Sequence, residues 1–248
     1  MTGGFNYIAW IWIGIGVITF FLLLKIRAPY GRHTSSRWGP MVSNKWGWFW
    51  MEVPALFLFP ILVALGPREK DLLSLILVGL WSIHYINRVF IYPFRIKTKG
   101  KKIPLFIVIS GLFFNIINGS LNGYYLGFIA PQDRSLANIS VLLGMLVFLI
   151  GMYINIKTDN KLIALRHSGS GYKIPKGWLF EKISCPNHFG EIIEWTGFAM
   201  AAWSWPAASF AIWTFCNLAP RAANHHSWYL EHFKDYPKKR KAVLPFVW

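Results

Sequence analysis

Acidic residues and cysteines are scarce in this chain. Asp and Glu together number 10 among 248 residues, and all charged residues make up 15% of the sequence, against about 25% in an ordinary soluble domain. The two cysteines, Cys185 and Cys216, lie far apart, which excludes a disulfide scaffold. A hydrophobic content of 54% excludes a disordered chain and argues against a simple water-soluble globule. No Gly-x-Ser-x-Gly nucleophile elbow occurs, and there is no repeat of useful period or low-complexity tract. A dinucleotide fingerprint of the soluble kind is missing as well. Gly14-Ile15-Gly16 lies in an apolar helix, and Gly169-Ser170-Gly171 lacks a later glycine and a preceding strand.

What the sequence does contain is a series of apolar runs near twenty residues long, each matched to the hydrocarbon thickness of a bilayer. The chain is therefore read as an all-α, polytopic integral membrane protein. Its formal charge of +16 would elsewhere suggest nucleic acid. Here the basic residues sit between the apolar runs, where they mark loops kept on the cytoplasmic side. Membrane lipid and a phosphate-bearing ligand fit that charge; a nucleic-acid partner does not, and no obligate protein partner is evident. Residues 1–6 carry no Lys or Arg ahead of the first run, so this run is expected to be a retained span and not a secretory signal.

Runs at 5–24, 46–65, 72–94, 103–130 and 135–156 predict five spans. The third and fourth are separated by a loop rich in Lys, including Lys97 and Lys99, and the fourth and fifth by a far-side turn with Pro131, Asp133 and Arg134. The fourth is long enough to tilt or kink near Gly119 and Gly123. The loop at 157–188, with a flexible turn at His167-Ser168-Gly169-Ser170-Gly171, and the tail beyond Ala219 are both basic, so an even number of crossings lies between them. A hairpin bent near residues 204–206, with polar arms in a protein-lined cavity, meets that need. The expectation is seven transmembrane helices in one domain, residues 1–248, with the N-terminus outside and the C-terminus cytoplasmic, in a bacterial inner membrane or the endoplasmic reticulum. The 14 Trp, 10 Tyr and 20 Phe suit interfacial anchoring and the lining of an apolar cavity.

Polar groups inside these runs carry the chemistry. Glu52, in Trp48-Phe49-Trp50-Met51-Glu52-Val53-Pro54, costs about 2.5–3.5 kcal/mol to insert at mid-helix unless compensated. It is either an interfacial Glu paired with Arg88 or water, or a buried acid that stays protonated and donates a hydrogen bond to a carbonyl oxygen. Tyr85 and Arg88, three apart, share a helix face, although a membrane Tyr is often an anchor and an Arg near a helix end can snorkel. Three polar stripes converge on the cytoplasmic side: Asn155, Asp159 and Arg166; Asn187, Glu191 and Glu194; Arg221, His225 and Tyr229. Such groups suit a nucleotide, with carboxylates and amides for hydroxyls and Arg for phosphate. His225-His226 with His232 has too thin a ligand set for a metal.

The longest recognisable stretches are Asn187-His188-Phe189-Gly190-Glu191-Ile192-Ile193-Glu194-Trp195, then Arg221 through His225-His226 to Tyr229-Leu230, then Asp235-Tyr236-Pro237-Lys238-Lys239-Arg240-Lys241-Ala242. Tyr30-Gly31-Arg32-His33-Thr34, Glu52 before Pro54, His84-Tyr85 with Arg88, Gly123-Tyr124-Tyr125 and Asn155 with Asp159 add to them. In order and spacing these residues resemble the steroid 5-alpha-reductase family over nearly the whole chain. The resemblance implies a seven-helix membrane reductase that uses NADPH to saturate the 4,5 double bond of a 3-oxo-4-ene steroid or other apolar enone. It implies that Glu52 and Tyr85 hold the 3-keto oxygen, with Trp48 beside the substrate. On the cofactor side it implies Arg32, Arg88, Lys101, Asn155, Asp159, Arg166, Tyr172, Asn187, Glu191, Arg221, His225, Tyr229 and Arg240. Residues of about 1–100 would serve mainly the substrate and those of about 150–248 mainly NADPH. Met51 stands where Gln is expected, and Lys101 where some members have Arg. Rival readings are a reductase of polyprenols or enoyl thioesters, an isoprenylcysteine-type membrane methyltransferase, which needs no enone clamp, and a transporter, which would move ligand without consuming NADPH.

Overall fold

The computed structural model describes residues 2–96, 100–131, 135–167 and 171–248. Among these the chain forms seven long helices: α1 Thr2–Lys25, α2 Asn44–Leu65, α3 Leu72–Arg95, α4 Leu105–Ile129, α5 Ile139–His167, α6 Pro186–Ala202 and α7 Trp205–His232. Helices α1 to α5 are long and apolar enough to cross a membrane. Their outer faces leave Ile11, Phe21, Phe57, Leu75 and Leu149 exposed, an apolar surface of the kind a multi-pass membrane protein presents to lipid.

Local chemistry sets the helix ends. The Asp71 side chain accepts from the Ser74 amide at 2.7 Å, capping α3. The hairpin bend lies at Trp203 and Ser204: Trp203 takes a left-handed conformation (φ 43°) that stops α6, and Ser204 caps α7 through the Ala207 amide at 3.3 Å. Pro186 and Pro206 stand in first turns, where a missing N–H costs nothing. In the short charged link before α3, Arg68 donates from Nε to the Phe128 carbonyl at 3.2 Å and so satisfies the end of α4.

The structure departs from the sequence reading in two places. The fold is not purely helical: β1 (Met41–Ser43) pairs antiparallel with β2 (Lys102–Pro104), Val42 facing Ile103, and this tie sets the starts of α2 and α4 side by side. Strands of three residues leave no readable alternation. The basic segment taken as a loop from residue 157 remains helical to His167, so Asn155, Asp159 and Arg166 share one helix. Ser168, Gly169 and Ser170 of the expected turn lie outside the described residues, as do Lys97, Lys99, Asp133 and Arg134. Helix α4, long enough to tilt or kink near Gly119 and Gly123, is α-helical to Tyr124 and ends in a π-helical turn, Tyr125–Ile129.

Those glycines form a seam. Gly119, Gly123 and Gly127, spaced by four, press on α2, and a methyl group on Gly123 would stand 2.9 Å from the Phe59 carbonyl oxygen. An equivalent seam joins α5 to α6 through Gly144, Gly151, Gly190 and Gly197; a methyl group on Gly190 would stand 2.6 Å from the Asn155 amide nitrogen. Lipid supplies no hydrophobic drive between helices, so backbone contact through small residues is what holds them. Between the two seams lies an aromatic core. Phe59 stacks on Trp81 at 4.5 Å, Trp81 meets Trp195 at 5.2 Å, and Trp195 meets Phe210 at 4.3 Å. Gly151→Leu and Gly197→Leu should each destabilise the bundle, by at least the roughly 1–3 kcal/mol typical of overpacking. Gly79→Ala, on an open face with nothing within 4 Å, should be neutral. Thermal melts in detergent would check both, and an unchanged midpoint for the seam variants would remove the seam from the account.

Candidate active site

One cavity of about 690 Å³ opens among the helices, of a size that suits small molecules. Its walls draw on α1 to α7 and on the segment between α1 and α2. Glu52 and Trp48 come from α2, Tyr85, Arg88 and Tyr92 from α3, and Asp159 and Arg166 from α5. Asn187 and Glu191 come from α6, and Arg221, His225 and Tyr229 from α7. Arg32, Lys101 and Tyr172 enter from connecting segments. Of the three polar stripes, Asp159 and Arg166, Asn187 and Glu191, and Arg221, His225 and Tyr229 meet the Glu52 and Tyr85 face in one space. Trp195 and Phe210 belong both to the aromatic core and to the cavity wall.

At the apolar side, Glu52 and Tyr85 are joined by a residue that sequence reasoning missed. Asn115 of α4 donates from Nδ2 to the Met51 carbonyl at 2.7 Å and to Glu52 Oε2 at 3.1 Å, and its Oδ1 accepts from the Tyr85 hydroxyl at 3.2 Å. Asn115 is 4% exposed and Tyr85 2%. The signal was present in the sequence: Asn115 falls between Gly111 and Gly119 in the four-residue series that continues to Gly127, a seam phase where a polar residue has to be reading the facing helix.

Arg88 does not snorkel. It stands within the π-helical segment Asn87–Ile91 of α3, an irregularity common at functional sites, and lies between the carboxyl groups of Glu52 and Asp159. Its Nη2 is 4.0 Å from Glu52 Oε1 and its Nη1 is 3.8 Å from Asp159 Oδ2. Trp48 and Tyr92 flank the guanidinium, with ring centroids at 5.4 and 4.8 Å. Arg88 thus links the apolar end of the cavity to the polar one.

The polar end is cationic. Arg32 is enclosed by the rings of Tyr172, Trp228 and Tyr229 at 4.9, 4.4 and 4.5 Å, and it donates to the Tyr229 hydroxyl at 3.3 Å. Arg166 and Lys101 also lie over Tyr172, at 5.6 and 5.9 Å, and Arg221 lies over Tyr30 at 4.8 Å. Partial burial, helped by Arg166, holds the Lys101 amine below its usual range. Burial and the Arg32 charge likewise favour neutral His33, whose ring stacks on His225 at 5.5 Å. Among the described residues, the Arg32 Nη1 and Arg221 Nε donors are buried without a hydrogen-bond partner, as are the His188 and His225 Nδ1 atoms. Buried donors are nearly always paired, so this wall is shaped for a ligand rich in acceptor oxygens.

Two expected site residues, Asn155 and Arg240, and the stripe residue Glu194 do not line the cavity. Asn155 sits behind it, donating to the Asn187 carbonyl at 3.1 Å and to Glu191 Oε2 at 3.3 Å; it orients the carboxylate. Arg240 is 2% exposed and donates to the Pro175 carbonyl at 2.9 Å, with Glu181 3.8 Å away, so it fastens the tail to the loop before α6. Glu194, though in phase with Asn187 and Glu191, is turned into the core and pairs with His84 Nδ1 at 2.8 Å. Seven residues along α6 from Asn187, about two turns on nearly the same face, it stands at the level of His84. No cluster of three or more metal-ligating side chains occurs among the described residues.

Comparison with known proteins bears on this geometry. Residues 101–248 match the family model described as 3-oxo-5-alpha-steroid 4-dehydrogenase. The chain is 41% identical to a steroid 5-alpha-reductase of Arabidopsis thaliana over 98% of its own length and 97% of the relative's. It is 38% identical to 3-oxo-5-alpha-steroid 4-dehydrogenase 1 of Homo sapiens, over 97% and 94%. A similar protein from Bos taurus is 40% identical over 97% and 95%.

The cationic wall generates its own test. Arg32→Leu and Arg221→Leu should each weaken binding of a phosphate-bearing nucleotide by about tenfold to a hundredfold, the range of one charge-assisted hydrogen bond. Calorimetric titration measures this, and affinities equal to the parent's would show that these donors face something else.

Proposed function

The chain belongs to the 3-oxo-5-alpha-steroid 4-dehydrogenase, or steroid 5-alpha-reductase, family of oxidoreductases, and on that premise we propose that it reduces the 4,5 double bond of 3-oxo-4-ene steroids with NADPH. The observation that carries this reading is the meeting of Glu52 and Tyr85, through Asn115, at the apolar side of a cavity whose other side is cationic.

The residues fit the cofactor. Phosphate groups suit Arg32, Lys101, Arg166 and Arg221, with His188 and His225 beside them. Hydroxyl and amide groups suit Asp159, Asn187, Glu191 and Tyr229. When bound, NADPH supplies the hydride that adds at C5, and the nicotinamide's own chemistry does the rest. Adding a hydride to the β carbon of an enone pushes an electron pair onto the 3-keto oxygen. Protonated Glu52 and the Tyr85 hydroxyl donate to that oxygen and stabilise the developing enolate. A proton then reaches C4 from Tyr85 or from water, and the 3-ketone reforms. Trp48, Trp195 and Phe210 keep water from the reacting atoms.

The same reading makes the chain one reductase domain with seven membrane crossings, α6 and α7 completing the set, the N-terminus outside and the C-terminus in the cytoplasm. Residues of about 1–100 serve mainly the substrate and those of about 150–248 mainly NADPH, with Arg32, Arg88 and Lys101 reaching across. The sterol would enter from lipid and NADPH from the cytoplasm.

Purified protein in detergent or liposomes, offered NADPH with a steroid enone, a polyprenol and an enoyl thioester, should oxidise NADPH with the steroid and yield a product bearing two added hydrogens. Turnover of another class alone would reassign the substrate, and methyl transfer or ligand movement without NADPH oxidation would overturn the reading. Glu52→Gln and Tyr85→Phe should each lower kcat by about a hundredfold, the scale of one lost oxyanion donor, with NADPH affinity nearly unchanged. Arg166→Leu and Asp159→Ala should chiefly raise the NADPH requirement. Equal loss of cofactor binding in both pairs would refute that division of roles.

A further inference from the structure

The amide of Asn115 is placed so that it cannot turn over. Its Nδ2 points at the Met51 main-chain carbonyl at 2.7 Å, an atom that can only accept, so the NH2 group must face α2 and the carbonyl oxygen must face Tyr85. Two consequences follow for its neighbours. Glu52 Oε2, 3.1 Å from the same Nδ2, acts as an acceptor there, so a carboxyl proton on Glu52 belongs on Oε1. The Tyr85 hydroxyl, 3.2 Å from Asn115 Oδ1, has its own proton directed at Asn115 until a better acceptor arrives. Backbone packing fixes the amide as firmly as its hydrogen bonds do. Gly111 lies against the Met51 side chain and Gly119 against the α2 backbone near Ala55, so α4 holds Asn115 at a set height beside α2.

We propose that Asn115 is the positioning residue of the carbonyl clamp, setting which Glu52 oxygen donates and holding the Tyr85 hydroxyl ready to swing from an amide oxygen to a ketone oxygen. The inference rests on the assignment of Glu52 and Tyr85 to an enone carbonyl. It adds that the pair works as a unit because one amide, with donors on one side and an acceptor on the other, keeps both in register. Neither a carboxyl nor a hydroxyl at position 115 could offer two donors to α2 and an acceptor to Tyr85 at once. Exchange of the phenol proton from one carbonyl-type acceptor to another also keeps the number of hydrogen bonds at Tyr85 constant when the ketone enters, so the hydroxyl is neither stripped of a partner beforehand nor left without one.

Two variants test it with the full-length protein, NADPH and a 3-oxo-4-ene steroid. Asn115→Leu keeps volume and removes both functions; kcat should fall by about tenfold to a hundredfold, the usual effect of losing a group that orients another, while NADPH affinity stays within about twofold. Asn115→Asp keeps shape but faces the Met51 carbonyl with an oxygen that needs a proton to bond, so its kcat should fall relative to the parent as pH rises. In a Tyr85→Phe background, Asn115→Leu should cost clearly less than it does alone. A purely structural Asn115 would lower the melting temperature of the variants yet leave kcat per folded molecule and its pH profile at parent values, and that result overturns the proposal while leaving the reductase reading intact. A parent protein that reduces no enone would overturn both.

Discussion

A carboxyl group set among Trp48, Phe49, Trp50 and Met51 survives in an apolar helix only because other buried groups answer it, and much of the polar architecture follows from how that is done. The Asn115 amide takes one oxygen of Glu52 and the Arg88 guanidinium lies 4.0 Å from the other. Arg88 in turn, beside a neutral carboxyl group, needs an ionised partner, and Asp159 stands on its far side at 3.8 Å. From a single costly residue a line of partners thus runs across the bundle, from α4 through α2 and α3 to α5. Its ends lie in different chemical settings. Asn115 and Tyr85 are packed among aromatic rings, whereas Asp159 opens onto the cationic wall of Arg166 and Arg32.

Helix packing delivers these side chains at the right height. The Gly119, Gly123 and Gly127 seam draws α4 against α2 so closely that a short amide reaches both the Met51 carbonyl and the Glu52 carboxyl. The Gly144 to Gly197 seam does the same for α5 and α6, bringing Asn155 against the turn that holds Asn187 and Glu191. In a bilayer, where apolar side chains gain nothing by leaving lipid for one another, such backbone contact is what makes the arrangement specific. The aromatic cluster of Phe59, Trp81, Trp195 and Phe210 fills the space between the seams and gives the cavity a dry wall.

Much of this was legible in the sequence, and the failures have physical causes. Long apolar runs broken by basic segments announced the helices, because period and length are coarse properties that survive without tertiary knowledge. Glu52, Tyr85 and the stripes on α5, α6 and α7 stood out as polar groups at membrane depth. Asn115 did not, since it is one of three neutral amides in α4, beside Asn118 and Asn122, with no charge to set it apart, and its meaning lies in what α2 presents to it. Glu194 was set in a polar stripe by spacing alone, and Asn155 by spacing together with the family resemblance. Their true directions depend on His84 and on the contact between α5 and α6, which no one-dimensional pattern records. Arg240 was expected at the cofactor and instead anchors the tail to Pro175. The β1–β2 tie is too short for any alternation to show.

The central claim is that Glu52 and Tyr85 together pull electron density onto a bound enone oxygen. Isotope-edited infrared spectroscopy of a 3-oxo-4-ene steroid labelled with carbon-13 at C3, bound to the protein with NADP+, reads that pull directly. The account expects the labelled carbonyl stretch to shift well below its frequency in an apolar solvent, and to move back toward that value in Tyr85→Phe. A stretch in the parent protein indistinguishable from the solvent value would contradict it.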